Sequence, residues 1–172
     1  MNGDEIRADG PLNSWGFGVL ADARLRKEFP GSDPTTNALL LFLNRASADL
    51  TTELEAEVHK PLGLSWSGYR LLFVLWIAGD LEPARVADLT HTSRASVSNL
   101  SVSFIEQGLI DRRPSLTDKR SVLLSLTDEG VDRVRQAYLA QDARQKELLS
   151  VLSEEEQTIL HLLLAKMVRS RG

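Results

Sequence analysis

Leu39, Leu43, Ala46, Leu50, Leu54 and Val58 recur at steps of three and four residues, the repeat of one face of an α-helix. Asp33-Pro34 ahead of them reads as a cap followed by proline at the first helical position, and Pro61-Leu62-Gly63 behind them as a break. Leu40, Leu41 and Phe42 widen the apolar face near its start, which suits a helix packed on several partners, another subunit among them. An earlier helix is expected over 13–29, with Trp15, Val19, Leu20 and Ala23 on one side and Pro30-Gly31 closing it. Ser65 caps the next helix, 66–78, with Gly79 as terminator, and a short helix follows over 83–89. "LIDRRP" and "SVLLSL" are β-like runs separated by the polar turn "SLTDK", which predicts a hairpin. Thr127 caps a long helix running from Asp128 towards Leu149. Ser153 and Glu156 form a capping box for a last helix that ends near Val168. The pattern is mainly α with one hairpin in the middle.

The stretch "THTSRASVSNLSVSF" departs from ordinary helix composition. No acidic residue occurs from Leu89 to Ile105, and five of the eleven positions from Ser93 to Ser103 are serine. At 100° per residue Val97, Leu100 and Phe104 share one side, the expected buried stripe. Ala95, Ser96, Ser98, Asn99, Val102 and Ser103 lie opposite. A solvent-facing helix normally carries Glu and Lys there, since both are better helix formers and pair at i,i+4. Short uncharged side chains let the backbone approach another surface closely, and the missing carboxylates matter most if that surface is negative. A helix in the major groove of DNA meets both conditions. With the preceding short helix and the tight "THTS" turn it completes a helix-turn-helix, and Arg94 at its start can reach a phosphate or a guanine edge.

The hairpin strengthens this reading. Arg112 and Arg113 end its first strand and Asp118-Lys119-Arg120 sits at or near its tip, where an arginine can enter the adjacent minor groove. Asp118 can hold the Arg120 guanidinium by a charge-assisted bond. The charge distribution agrees. The chain has 172 residues and a net charge of −4, with 42% hydrophobic and 26% charged residues, as in a globular domain. Between His91 and Val122, five cations face three carboxylates. That local +2 leaves −6 for the rest, so the chain is acidic with one basic island. The absence of cysteine excludes disulfides and thiolate metal sites. His59, His91 and His161 have no ligand spacing, so no metal and no cofactor is expected. No glycine-rich phosphate loop, Cys-His pair or spaced His-Glu set points to an enzyme, and Glu53 with Glu57 reads as a solvated helix face. The polar start and the short apolar runs indicate no membrane span and a cytoplasmic protein.

From Leu64 to Gly130 the chain resembles the MarR family of winged helix-turn-helix transcription regulators. The residues that carry the resemblance are "GLSWSGYRLLFVL", "VADLTHTSRASVSNL", "IEQGLIDRRP" and "TDKRSVLLSLTDEG", in that order. The resemblance implies three segments: an N-terminal extension and dimerisation helix over 1–63, a winged lobe over 64–127, and C-terminal dimerisation helices over 128–172. It further implies a homodimer on a pseudo-palindromic operator of double-stranded DNA, acting as a repressor released by a small-molecule effector. Ser93, Arg94, Ser96, Ser98 and Asn99 would face DNA, with Arg113 and Lys119 beside them and Arg120 in the minor groove. Asn99 stands where many members carry arginine, which opens the base preference. The alternative is a winged-helix dimer that binds another protein.

The extra helix bearing Trp15 resembles that of the urate-responsive subgroup, in which a tryptophan, an aspartate and an arginine form the ligand site. Trp15 matches the first and Arg112 the third, but Arg70 occupies the aspartate position and reverses its charge, so urate is not carried over. Trp15, Trp66, Tyr69, Arg70 and Arg112 remain candidates for a site for an aromatic or anionic effector. The competing expectation is that the aromatics are core and Arg70 pairs with a glutamate.

Overall fold

The protein is described by a computed structural model covering residues 14–114 and 121–170. Its elements are α1 (Ser14–Glu28), α2 (Pro34–Leu54), a π-turn (Glu55–His59), a 3₁₀ turn (Lys60–Leu62), α3 (Trp66–Ala78), α4 (Pro83–Thr90), α5 (Arg94–Glu106), β1 (Ile110–Pro114), β2 (Val122–Leu126), α6 (Asp128–Leu149) and α7 (Glu154–Arg169). The chain forms two compact units, Met1–Thr52 and Glu53–Gly172.

In the first unit Asp33 starts α2 as its sequence predicts. Its carboxylate accepts from the Thr35 and Thr36 amides at 3.0 and 3.3 Å, and its bonds to Thr36 hold it below the usual carboxylate range. The expected apolar side of α1 is only partly covered. Val19 and Leu20 are half-buried, Ala23 is exposed, and Trp15 stacks on Phe42 at 5.3 Å while remaining 62% exposed. The buried residues are instead Gly16 and Gly18, because the Phe42 ring lies so close to Gly18 that a Cβ there would meet it at 2.5 Å.

The second unit holds a continuous core. Leu71, Leu72 and Leu75 of α3 pack with Val86 of α4, Val97 and Phe104 of α5, Leu109, Ile110, Leu124, and Val134 of α6. Each such side chain contributes about 1.5–3 kcal/mol by leaving water. The strands pair antiparallel from Ile110↔Leu126 to Pro114↔Val122, and an isolated bridge joins Leu81 to Leu124. Gly108, at φ 70°, makes the left-handed turn from α5 into β1 that a side chain would strain.

Two features depart from the sequence reading. The repeat of the long helix suggests regular turns through Val58, yet the last five residues form a π-turn that buries the consecutive Val58 and His59. Glu53 and Glu57 are also not merely a solvated face. Both pair with Arg144 of α6, Glu57 at 2.9 Å, and Glu147 joins them at 2.7 Å. Further along, α7 has the predicted capping box but no buried residue. Its Ile159, Leu162, Leu163 and Val168 are all more than half exposed.

Candidate nucleic-acid interface

The helix-turn-helix is built from α4 and α5. Pro83 sits in the first turn of α4, and Val86, Ala87 and Thr90 are buried. The Thr90 hydroxyl donates back to the Val86 carbonyl at 2.7 Å. His91 then takes φ 48°, a left-handed conformation uncommon outside glycine, and the Thr92 amide donates to the Ala87 carbonyl at 3.0 Å. Those two bonds and one unusual backbone angle make the turn tight. Ser93 caps α5, accepting from the Ser96 amide at 3.1 Å, and the Ser93 and Ser96 hydroxyls lie 2.8 Å apart.

The faces of α5 fall where the helical period puts them. Val97 and Phe104 are buried and Leu100 is half-buried, whereas Ala95, Ser96, Ser98, Asn99, Val102 and Ser103 are exposed. Ser101 belongs to the inner side, where its hydroxyl bonds the Val97 carbonyl at 2.6 Å. Close approach to α3 depends on Gly68, since a Cβ there would meet the Phe104 ring at 2.9 Å. The inner stripe therefore fixes which residues look outward.

The outward polar groups divide into two sets. Ser93 and Ser96 are engaged in the cap, and Ser103 accepts from the Gln107 amide group at 3.0 Å. The side chains of Arg94, Ser98 and Asn99 have no polar partner among the described residues. Arg85 of α4 is likewise exposed and unpaired there, a cation the sequence reading missed. Its signal was position: the first helix of such a motif crosses the DNA backbone.

The hairpin is anchored at both ends of its paired strands by residues that spacing did not reveal. Arg113 faces Asp80 at 3.9 Å in an exposed pair, and the Ser121 hydroxyl donates to Glu82. The Leu109 amide donates to Phe104 at 2.8 Å and its carbonyl accepts from Thr127 at 3.1 Å. Arg112 is exposed on β1 opposite Leu124. The expected tip residues Asp118, Lys119 and Arg120 lie outside the described residues.

The expected effector residues are placed as follows. Trp66 and Tyr69 join an aromatic row in which His59 stacks on Tyr69 at 4.3 Å, Phe73 lies 5.6 Å from Tyr69, and Tyr138 stacks on Phe73 at 6.1 Å. Burial pushes the Tyr69 hydroxyl up to about 12. Arg70 donates to the Thr90 carbonyl, in place of the expected glutamate, and so ties α3 to the turn. Trp15 belongs to the first unit. There a cleft of about 170 Å³ between α1 and α2, lined by Gly18, Asp22, Asn37 and Leu41 among others, is smaller than typical ligand pockets.

The sequence raised His59 only for metal spacing. The residue is fully buried; its Nε2 lies 2.9 Å from the Gln141 side-chain oxygen, and its Nδ1 has no partner among the described residues. Donation from Nε2 leaves Nδ1 as a bare acceptor. Burial holds the imidazole pKa below its ordinary 6.5, against the opposing effects of the Gln141 bond and the Glu55 charge. Among the described residues no cluster could hold a metal ion, and no helix is long and apolar enough to cross a membrane.

Comparison with known proteins agrees with this geometry. Residues 62–121 match the MarR family. An uncharacterized HTH-type transcriptional regulator of Bacillus subtilis, YwaE, is 29% identical over 143 residues, covering 82% of this chain and 84% of that protein. The apo structure of MarR from E. coli superposes with a TM-score of 0.66 at 20% identity, covering 73% of this chain and 93% of that one. An organohalide-sensing regulator, RdhR-CbdbA1625, in its 2,4-dichlorophenol-bound form, gives 0.68 at 22% identity, covering 83% and 84%.

Proposed function

We propose that the chain is a DNA-binding winged-helix regulator of the MarR family, which residues 62–121 match, and that it acts as a homodimeric repressor released from a pseudo-palindromic operator by a small effector. The observation that carries the reading is the outward face of α5. From Arg94 to Ile105 it carries no carboxylate, Glu106 coming only at its last residue; its core side is anchored, and Arg94, Ser98 and Asn99 are left unspent among the described residues. Ser93, Arg94, Ser96, Ser98 and Asn99 enter the major groove, Arg113 and Lys119 meet phosphates, and Arg120, oriented by Asp118, enters the minor groove. Arg85 adds a backbone contact from α4.

The dimer rests on apolar surface that a single protomer leaves in water. Ile159, Leu162 and Leu163 are each 56% exposed and Leu139 68%, too large a set for an isolated monomer. Residues 1–63 and 128–172 supply the dimer contacts and 64–127 the DNA-binding lobe. Two recognition helices related by a two-fold axis read half-sites about one helical turn apart.

The effector is an aromatic or anionic small molecule. A phenol-bound protein of the same fold supports that class. The test is a mobility shift on DNA from beside the protein's own coding region, with unrelated competitor duplex present. Retarded, competitor-resistant complexes that aromatic acids or phenols release are expected. No retardation beyond that of the competitor refutes the reading.

A further inference from the structure

The sorting of spent and unspent groups on α5 leads further, given the DNA-binding reading above. We infer that Asn99 sets an A·T base pair at the centre of each half-site, with Ala95 and Val102 packing against thymine methyls on either side of it.

Ala95, Asn99 and Val102 stand at i, i+4 and i+7, which places them in one line along the helix, and all three are exposed. At 1.5 Å per residue that line is about 10 Å long, close to three base-pair steps of about 3.4 Å. Its ends are methyl groups and its centre is a carboxamide. Ser93, Ser96, Ser101 and Ser103 all have intramolecular partners, so they are poor candidates for fixing sequence. Among the described residues Asn99 has none, and asparagine in a helix interior lowers helix stability relative to alanine. No contact among the described residues accounts for its presence.

The chemistry of the carboxamide selects the base. It offers an N–H donor beside a carbonyl acceptor, the complement of the N7 acceptor and N6 amino donor of adenine in the major groove. Guanine presents two acceptors there, so the carboxamide oxygen would face O6 unpaired. Cytosine offers a single donor. Thymine offers the methyl group that Ala95 and Val102 can contact but serine and arginine do not favour. Along this line no arginine or lysine competes for guanine. Arg94 lies at the helix start, one residue before the line begins.

The experiment uses the full chain and the exposed-site variants Asn99→Ala and Asn99→Arg. Each is used to select duplexes from a randomised pool. The best wild-type duplex is then remade with 7-deazaadenine, which lacks N7, at each adenine in turn. Wild type is expected to prefer adenine at one fixed half-site position by roughly 10- to 100-fold, with thymine-rich neighbours. It should lose several-fold in affinity when that adenine is the deaza analogue. Asn99→Ala should not sense the analogue, and Asn99→Arg should move the preference there to guanine. If wild type selects a duplex but both variants keep the same preference at every position, or the position governed by Asn99 is G·C, the inference is overturned and the DNA-binding reading stands. If no duplex outcompetes the unselected pool, the DNA-binding reading fails and the inference falls with it.

Discussion

Gly130→Ala tests how rigidly the hairpin base is seated on α6. A Cβ at Gly130 would lie 2.0 Å from the Leu109 carbonyl oxygen and 3.0 Å from its carbon. Relaxed C···O contacts fall near 3.3 Å, so the two backbones must part by about 1.3 Å. Leu109 has little freedom to yield, because it is 1% exposed and bonded through both its amide and its carbonyl. Overpacking costs about 1–3 kcal/mol, and weakening two hydrogen bonds adds about 0.5–1.5 kcal/mol each. Alanine returns about 1 kcal/mol of helix propensity. The net loss is about 3 kcal/mol, a fall of about 6–12 °C in melting temperature for a chain of this length. Guanidinium unfolding followed by circular dichroism would measure it. A variant within about 0.5 kcal/mol of wild type would show that α6 and the hairpin base are not in contact as described.

Ser98→Glu should lower operator affinity about 100-fold, since a charge about 6 Å from a phosphate at an effective dielectric near 20 costs about 2–3 kcal/mol. Thermal stability should be unchanged, because Ser98 is exposed; retained affinity would remove α5 from the groove. Arg120→Ala should reduce the slope of log affinity against log salt by about one, read by fluorescence anisotropy, and an unchanged slope would discount the wing contact. Burial disfavours the protonated form of His59, so the folded chain binds this proton less readily than the unfolded chain. The stability contributed by the neutral ring is therefore complete above its ordinary 6.5 and is lost as pH falls through the depressed folded value. Melting curves from pH 8 to 5 should decline more steeply for wild type than for His59→Gln, and parallel curves would argue against a buried neutral imidazole.

The two faces of α5 were legible because helical period and side-chain chemistry reinforce each other there: Val97 and Phe104 inward, Ser98 and Asn99 outward. The hairpin was legible for a similar reason, as β-branched and leucine-rich runs flank a polar turn. The π-turn was not, because Leu50, Leu54 and Val58 keep step with a regular helix. Only the adjacent burial of Val58 and His59 betrays the inserted residue. His59 was weighed for metal spacing, and nothing local in sequence announces a partner at Gln141, 82 positions away. Separation along the chain likewise hid the pairing of Glu53 and Glu57 with Arg144 and of Asp80 with Arg113. Long-range polar pairs leave no periodic trace.

Because α5 is gripped through Val97, Ser101 and Phe104, the positions that would choose an operator carry almost none of the burden of folding. Lineages descended from this chain could therefore retarget it to new promoters by exchanging Ala95, Ser98, Asn99 or Val102 without intermediate forms that unfold.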